Sequence, residues 1–118
     1  MPGISVLLCV HNPDKKELYQ AVCSVIAQTF KDWEMILYDD GSDEAYEAFI
    51  YEISCLDARI RHVRNPLHHS LAYGLNQSLK MAAGEYAARM DADDVSTPER
   101  FHKQLAFLES HRQYLWVG

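Results

Sequence analysis

Apolar and polar positions follow two alternating rhythms along this chain. Residues 4–10, ISVLLCV, are an unbroken apolar run, which suits a strand buried on both faces. HNPDKKE breaks the run, and Asp14 with Glu17 three residues later makes a capping box. Leu18, Ala21, Val22, Val25 and Ile26 then fall at helical spacing, so the pattern predicts a helix over 15–28. WEMILYD (33–39) is a second strand, closed by the turn-rich DGSDE. A helix over 44–56 would bury Phe49, Ile50, Ile53 and Leu56. RIRHVR (59–64) alternates as a third strand, with NPLHH as a loop after it. Residues 70–83 are helical through Leu71, Leu75 and Leu79, with Gly84 as the residue just past the C-terminus. EYAARM (85–90) is a fourth strand. Thr97 as N-cap and Pro98 at the first helical position start a helix carrying Phe101, Leu105 and Leu108. YLWV begins a fifth strand, and Trp33 and Trp116 are expected in the core.

Strands and helices in strict alternation imply an α/β fold, a mostly parallel sheet flanked by helices. Ligands of such sheets bind outside the carboxyl ends of the strands. The chemically loaded segments fall there: VHN after the first strand, DDGSD after the second and DADD after the fourth.

DADD raises a question of charge. Asp91, Asp93 and Asp94 lie within four positions of an apolar strand, where like charges repel and lose hydration. Two carboxylates two residues apart, Asp91 and Asp93, can share a hard divalent cation with room left for phosphate oxygens. The competing explanation is a solvated acidic turn in which Asp94 caps the next helix; the triplet alone favours that turn, and its place at a strand end favours the metal. A helix-loop-helix calcium site fails, because its fifth and twelfth positions would be Val95 and His102. In DDGSD, one carboxylate can accept a base N–H while Gly41 lets the chain turn; taken alone, the segment reads sooner as a backbone turn. Adjacent His68 and His69 lack further ligands at metal spacing and are expected to be exposed polar residues. Lys31 and Arg89 are expected to be structural partners.

Composition narrows the classes. One domain of 118 residues, 48% hydrophobic, has enough apolar surface for a modest core. A net charge of −6 excludes ordinary nucleic-acid binding, which neutralises phosphates with basic side chains. It leaves room for a phosphorylated ligand carried by a divalent cation. Cys9, Cys23 and Cys55 are odd in number and without metal spacing, so they read as reduced core thiols of a cytoplasmic protein. The apolar start is too short for a secretory signal.

Together these segments resemble the family 2 inverting glycosyltransferases of the GT-A fold, a Rossmann-like architecture. SVLLCVHN resembles the family's opening strand, SVIAQTFKDWEMILYDDGSDE its helix, Gln-Thr turn and Asp-Asp-Gly-Ser signature, and GLNQSLKMAAGEYAARMDADDVSTPERFHKQ the approach to its DXD motif. The resemblance implies that residues 1–118 are one nucleotide-sugar-binding domain, the truncated N-terminal part of a longer glycosyltransferase domain. It implies that Cys9, Val10, His11 and Asn12 line the base and ribose pocket. Asp40 would bond the base, most often uracil, and Asp39 would brace the turn beside it. Asp91 would contact ribose or metal, Asp93 would hold Mn²⁺ or Mg²⁺ on the diphosphate, and Asp94 would be structural. The implied reaction passes a sugar from a UDP-sugar to a saccharide or lipid-linked acceptor with inversion, the full protein associating peripherally with membranes. That reaction needs a carboxylate base, and no residue of the chain is assigned to it.

Other classes fit less well. A haloacid-dehalogenase-like phosphatase carries its Asp-x-Asp after the first strand, with Lys and further acids downstream. A nucleotidyltransferase of related fold has a Gly-rich basic loop where this chain has VHNPDKK. A nucleotide-binding module without turnover is the non-enzymatic alternative.

Overall fold

The computed structural model describes residues 3–110 and 116–117. Five parallel strands form one sheet: β1 (Ile4–Val10), β2 (Trp33–Asp40), β3 (Ile60–Asn65), β4 (Tyr86–Met90) and β5 (Trp116–Val117). Their order is β3-β2-β1-β4-β5, so the chain winds outward from β1 to β3 and then returns to the other side of β1. The crevice between β1 and β4 is therefore the switch point where open α/β sheets take ligands.

The continuous apolar runs became the inner strands, and polarity marks the edge. All of β1 except Cys9 is buried, as is β2 except Glu34, whereas β3 is fully buried only at Ile60. One face of the sheet packs on α1 (Lys15–Ile26), α2 (Glu47–Ser54) and Phe101 of α4 (Arg100–Ser110). Leu18, Ala21, Val22 and Val25 of α1 and Ile50 and Ile53 of α2 supply that layer. The opposite face carries α3 (Leu71–Met81) over Leu7, Ile36 and Ala87.

Several boundaries differ from expectation for local reasons. Asp14 caps α1 through the Glu17 N–H at 2.9 Å, and the helix ends at Ile26 so that Gln28 and Thr29 are free to reach α4. Residues 44–46 form a 3₁₀ turn before α2, and Leu56, past its C-cap Cys55, is 44% exposed. In α3 the buried residues are Gly74 and Ser78, while Leu71 and Leu79 are exposed and Leu75 and Met81 pack on the core. Close approach explains this: a Cβ at Gly74 would stand 2.3 Å from Cys9 Sγ and 3.2 Å from the Tyr38 ring. Small residues thus face the sheet and the leucine ridge lies to the side. Gly84 does not end that helix, which stops at Met81; its N–H bonds Ser5 Oγ at 2.7 Å, where the chain crosses close to β1. Thr97 contributes its carbonyl to the turn before α4, accepting from Arg100 N at 3.1 Å, and α4 starts at Arg100. Trp33 is core; the side chains of Leu108 and Trp116, with residues 114 and 115 of YLWV, lie outside the described residues.

Candidate functional site

Register sets the frame of the site. Val10 pairs with Asp39 and Leu8 with Met90, so Asp40 and Asp91 emerge on either side of the β1 terminus. With neighbouring strands about 4.8 Å apart and an offset of two residues, their backbones lie roughly 10–12 Å apart. That separation matches the reach of a nucleotide from its base to its phosphates.

The β1 end and the loop after β2 are tied together. Asn12, at φ 45°, takes a left-handed backbone that Asn tolerates better than most residues. From there its N–H bonds Ser42 Oγ at 2.9 Å and its carboxamide oxygen accepts Asp43 N–H at 2.7 Å. Gly41, at φ 68°, lies beneath the loop after β3: a Cβ there would stand 2.3 Å from His68 N and 2.6 Å from its Cα. Only glycine fits that turn and that contact together.

The two acids of this loop have different surroundings. Asp39, fully buried, accepts Arg64 Nη1 at 2.7 Å and Ser42 N–H at 3.0 Å, so both of its oxygens are committed to protein. Asp40 Oδ1 accepts His69 N–H at 3.1 Å, and its Oδ2 has no hydrogen bond among the described residues. The side chains of Cys9 and Val10 point away from the strand end. The Cys9 thiol sits under Gly74, where burial, then the charges of Asp40 and Asp39, push its pKa up to about 12, and Val10 belongs to the core on the other face. These two residues bring backbone to the site, and the protonated thiol is no nucleophile at neutral pH.

Beyond β4, Asp91, Asp93 and Asp94 are exposed, and one carboxylate oxygen from each lies within 4.8 Å of the others. Asp94 Oδ2 accepts Asp91 N–H at 2.9 Å and closes the turn, so Asp94 braces its own loop rather than the next helix. Arg89 pairs with Asp91 at 3.2 Å, and no ion pair involves Asp93 among the described residues. An all-oxygen set with an unneutralised carboxylate fits Mg²⁺ or Mn²⁺.

The turn is held from behind by α1. Gln28, completely buried, donates to Thr97 O at 2.6 Å and accepts Phe101 N–H at 3.0 Å. Thr29 N–H bonds Pro98 O at 2.9 Å, and Ser24 Oγ accepts Ser96 N–H at 3.0 Å. Arg100 reaches back to Arg89 O at 3.0 Å. Sequence reasoning gave Gln28, Arg64, Ser42 and the His68–His69 pair no role at this site, although Gln28 and Ser42 lie in the quoted Gln-Thr turn and Asp-Asp-Gly-Ser segments. Arg64 had one available signal, since parallel registration places it beside Asp39.

The glycosyl transferase family 2 model matches residues 5–118. The chain belongs to that family. EpsE of Bacillus subtilis (strain 168) is 38% identical over 118 residues, covering 99% of this chain and 42% of EpsE, so the chain spans about two fifths of that relative. Staphylococcus aureus TarS, in complex with UDP, superposes with a TM-score of 0.79 at 22% identity, over 93% of this chain and 33% of the other. The mannosyltransferase PcManGT of Pyrobaculum calidifontis, with GDP-Man and Mn²⁺, gives 0.81 at 17% identity, over 91% and 32%. These likenesses establish the GT-A fold expected from the sequence.

Proposed function

We propose that this chain is the donor-binding half of a glycosyltransferase, taking a UDP-sugar with Mn²⁺ or Mg²⁺ for inverting transfer to a saccharide or lipid-linked acceptor hydroxyl. One observation carries the proposal: the Asp40 loop and the DADD turn flank the end of the central strand at the switch point. Asp40, with an oxygen to spare, receives the base N–H, and Asn12 and the β1 terminus line the base and ribose. Asp39 acts through Arg64 as a brace, and Cys9 and Val10 contribute main chain only. Asp91 and Asp93 hold the cation, which when bound stabilises negative charge on the departing diphosphate. UDP and GDP-Man in the solved neighbours, one of them with Mn²⁺, support a nucleotide-sugar ligand. Cytoplasmic location and peripheral membrane association of the whole protein belong to the same proposal.

Calorimetry with UDP and Mn²⁺ tests it through two variants. Asp93→Ala is expected to abolish metal-dependent UDP affinity while stability stays within about 0.5 kcal/mol, because the side chain is exposed. Unchanged affinity would remove the metal from this turn. Asp40→Ala is expected to weaken uridine as well as UDP by about ten-fold or more, the loss of a hydrogen bond to a charged group. A loss confined to UDP contradicts base recognition. Metal-dependent release of UDP from a UDP-sugar supports transfer chemistry; binding without release supports the non-enzymatic module.

A further inference from the structure

The carboxylate that the proposed function gives to the base lies beneath the loop after β3. Asp40 has a side chain only 2% exposed, with His68 Nε2 facing Oδ2 at 3.8 Å. Hydrogen-bond chemistry fixes the protons around it. The Asp40 carbonyl can only accept, so His11 Nδ1, 3.0 Å away, carries its proton. Neutral His11 then has a bare Nε2, which accepts from His68 Nδ1 at 3.1 Å, the two rings meeting edge to face at 3.8 Å. The chain of contacts returns to Asp40 through His68 Nε2. Neutral His68 turns a lone pair toward the carboxylate; protonated His68 turns an N–H toward it.

We propose that His68 is a residue of the base site, its imidazole holding the place on Asp40 Oδ2 that a nucleobase N–H takes, so that base and His68 exchange there. The inference rests on the assignment of Asp40 to the base. His68 is half-exposed on the loop over Gly41, and its partner bond is a single one to His11, so the ring is free to swing outward. The other charged and titratable groups nearby are occupied. Asp39 is paired with Arg64, Asp43 is bonded to Asn12, and the Cys9 thiol stays protonated. His69 donates Nδ1–H to Leu67 O at 2.9 Å and stacks on Tyr73 at 4.0 Å.

The ring over Oδ2 therefore opposes the base, which reaches the carboxylate only when His68 swings out. Uridine is the probe, since it carries the base and needs no metal. Titrating it by NMR into the chain is expected to show His68→Ala binding several-fold more tightly than the parent. Weaker or equal binding by His68→Ala overturns the exchange while leaving Asp40 as the base acceptor. Absence of uridine binding by both proteins overturns the base site itself.

Discussion

Arg64→Ala lowers the stability of the chain by about 3–5 kcal/mol, the loss expected when one partner of a buried ion pair is removed. Asp39 is completely buried, and its Oδ2 has Arg64 Nη1 at 2.7 Å as its cationic partner. Arg64 also donates to Ser42 O at 3.1 Å, so the same side chain anchors the loop that carries Asp40. Truncation strands a buried carboxylate and frees that loop. Urea unfolding measures the effect, and the double variant Asp39→Asn/Arg64→Ala separates its parts. Asparagine keeps an acceptor for the Ser42 N–H without the charge, so the double variant should recover part of the loss. A loss below about 1 kcal/mol in Arg64→Ala would mean the pair behaves as an exposed one.

The architecture could be read from the sequence because burial leaves a mark on composition. ISVLLCV and WEMILYD are apolar throughout because both faces of β1 and β2 are covered, and RIRHVR alternates because β3 lies at the sheet edge. The turns were legible for a similar reason: glycine and asparagine gather at strand ends, where unusual backbone angles demand them. Asn12 and Gly41 are the two residues with positive φ among those described.

What the pattern missed are pairings between segments distant in sequence. The leucines of α3 have helical spacing, but which face meets the sheet depends on how close the backbone can come, and Gly74 with Ser78 decided that. Leu71 and Leu79 look like core in one dimension and are surface in three. His68 and His69 carry no spacing signal, because their partners His11 and Asp40 stand 57 and 29 positions away. Cys55 was expected in the core with the other thiols and is exposed, since α2 ends one residue before it.

Gln28 shows the same blindness and has the second large effect. The resemblance named a Gln-Thr turn but gave its glutamine no role, and the amide is buried between Thr97 O and Phe101 N. Gln28→Ala leaves both groups unpaired and opens a small void, a cost of about 2–4 kcal/mol. The segment it holds begins at Thr97, three residues after Asp94, so Mn²⁺ affinity should also fall, whereas an equally destabilising change in the α3 layer should leave that affinity alone. Gln28→Glu sharpens the argument. Its carboxylate can still accept from Phe101 N–H but meets the Thr97 carbonyl, 2.6 Å from the present donor, acceptor against acceptor. Only the protonated acid can donate to that carbonyl, so folding raises its pKa above the unfolded value. Stability is then fully present below the unfolded pKa, about 4.3, and is lost as pH rises through the folded one. Relative to the parent, Gln28→Glu should therefore unfold at lower urea at pH 8 than at pH 5. A difference independent of pH would mean that α1 and the turn before α4 come apart enough to admit water, and that the DADD turn does not depend on this amide for its shape.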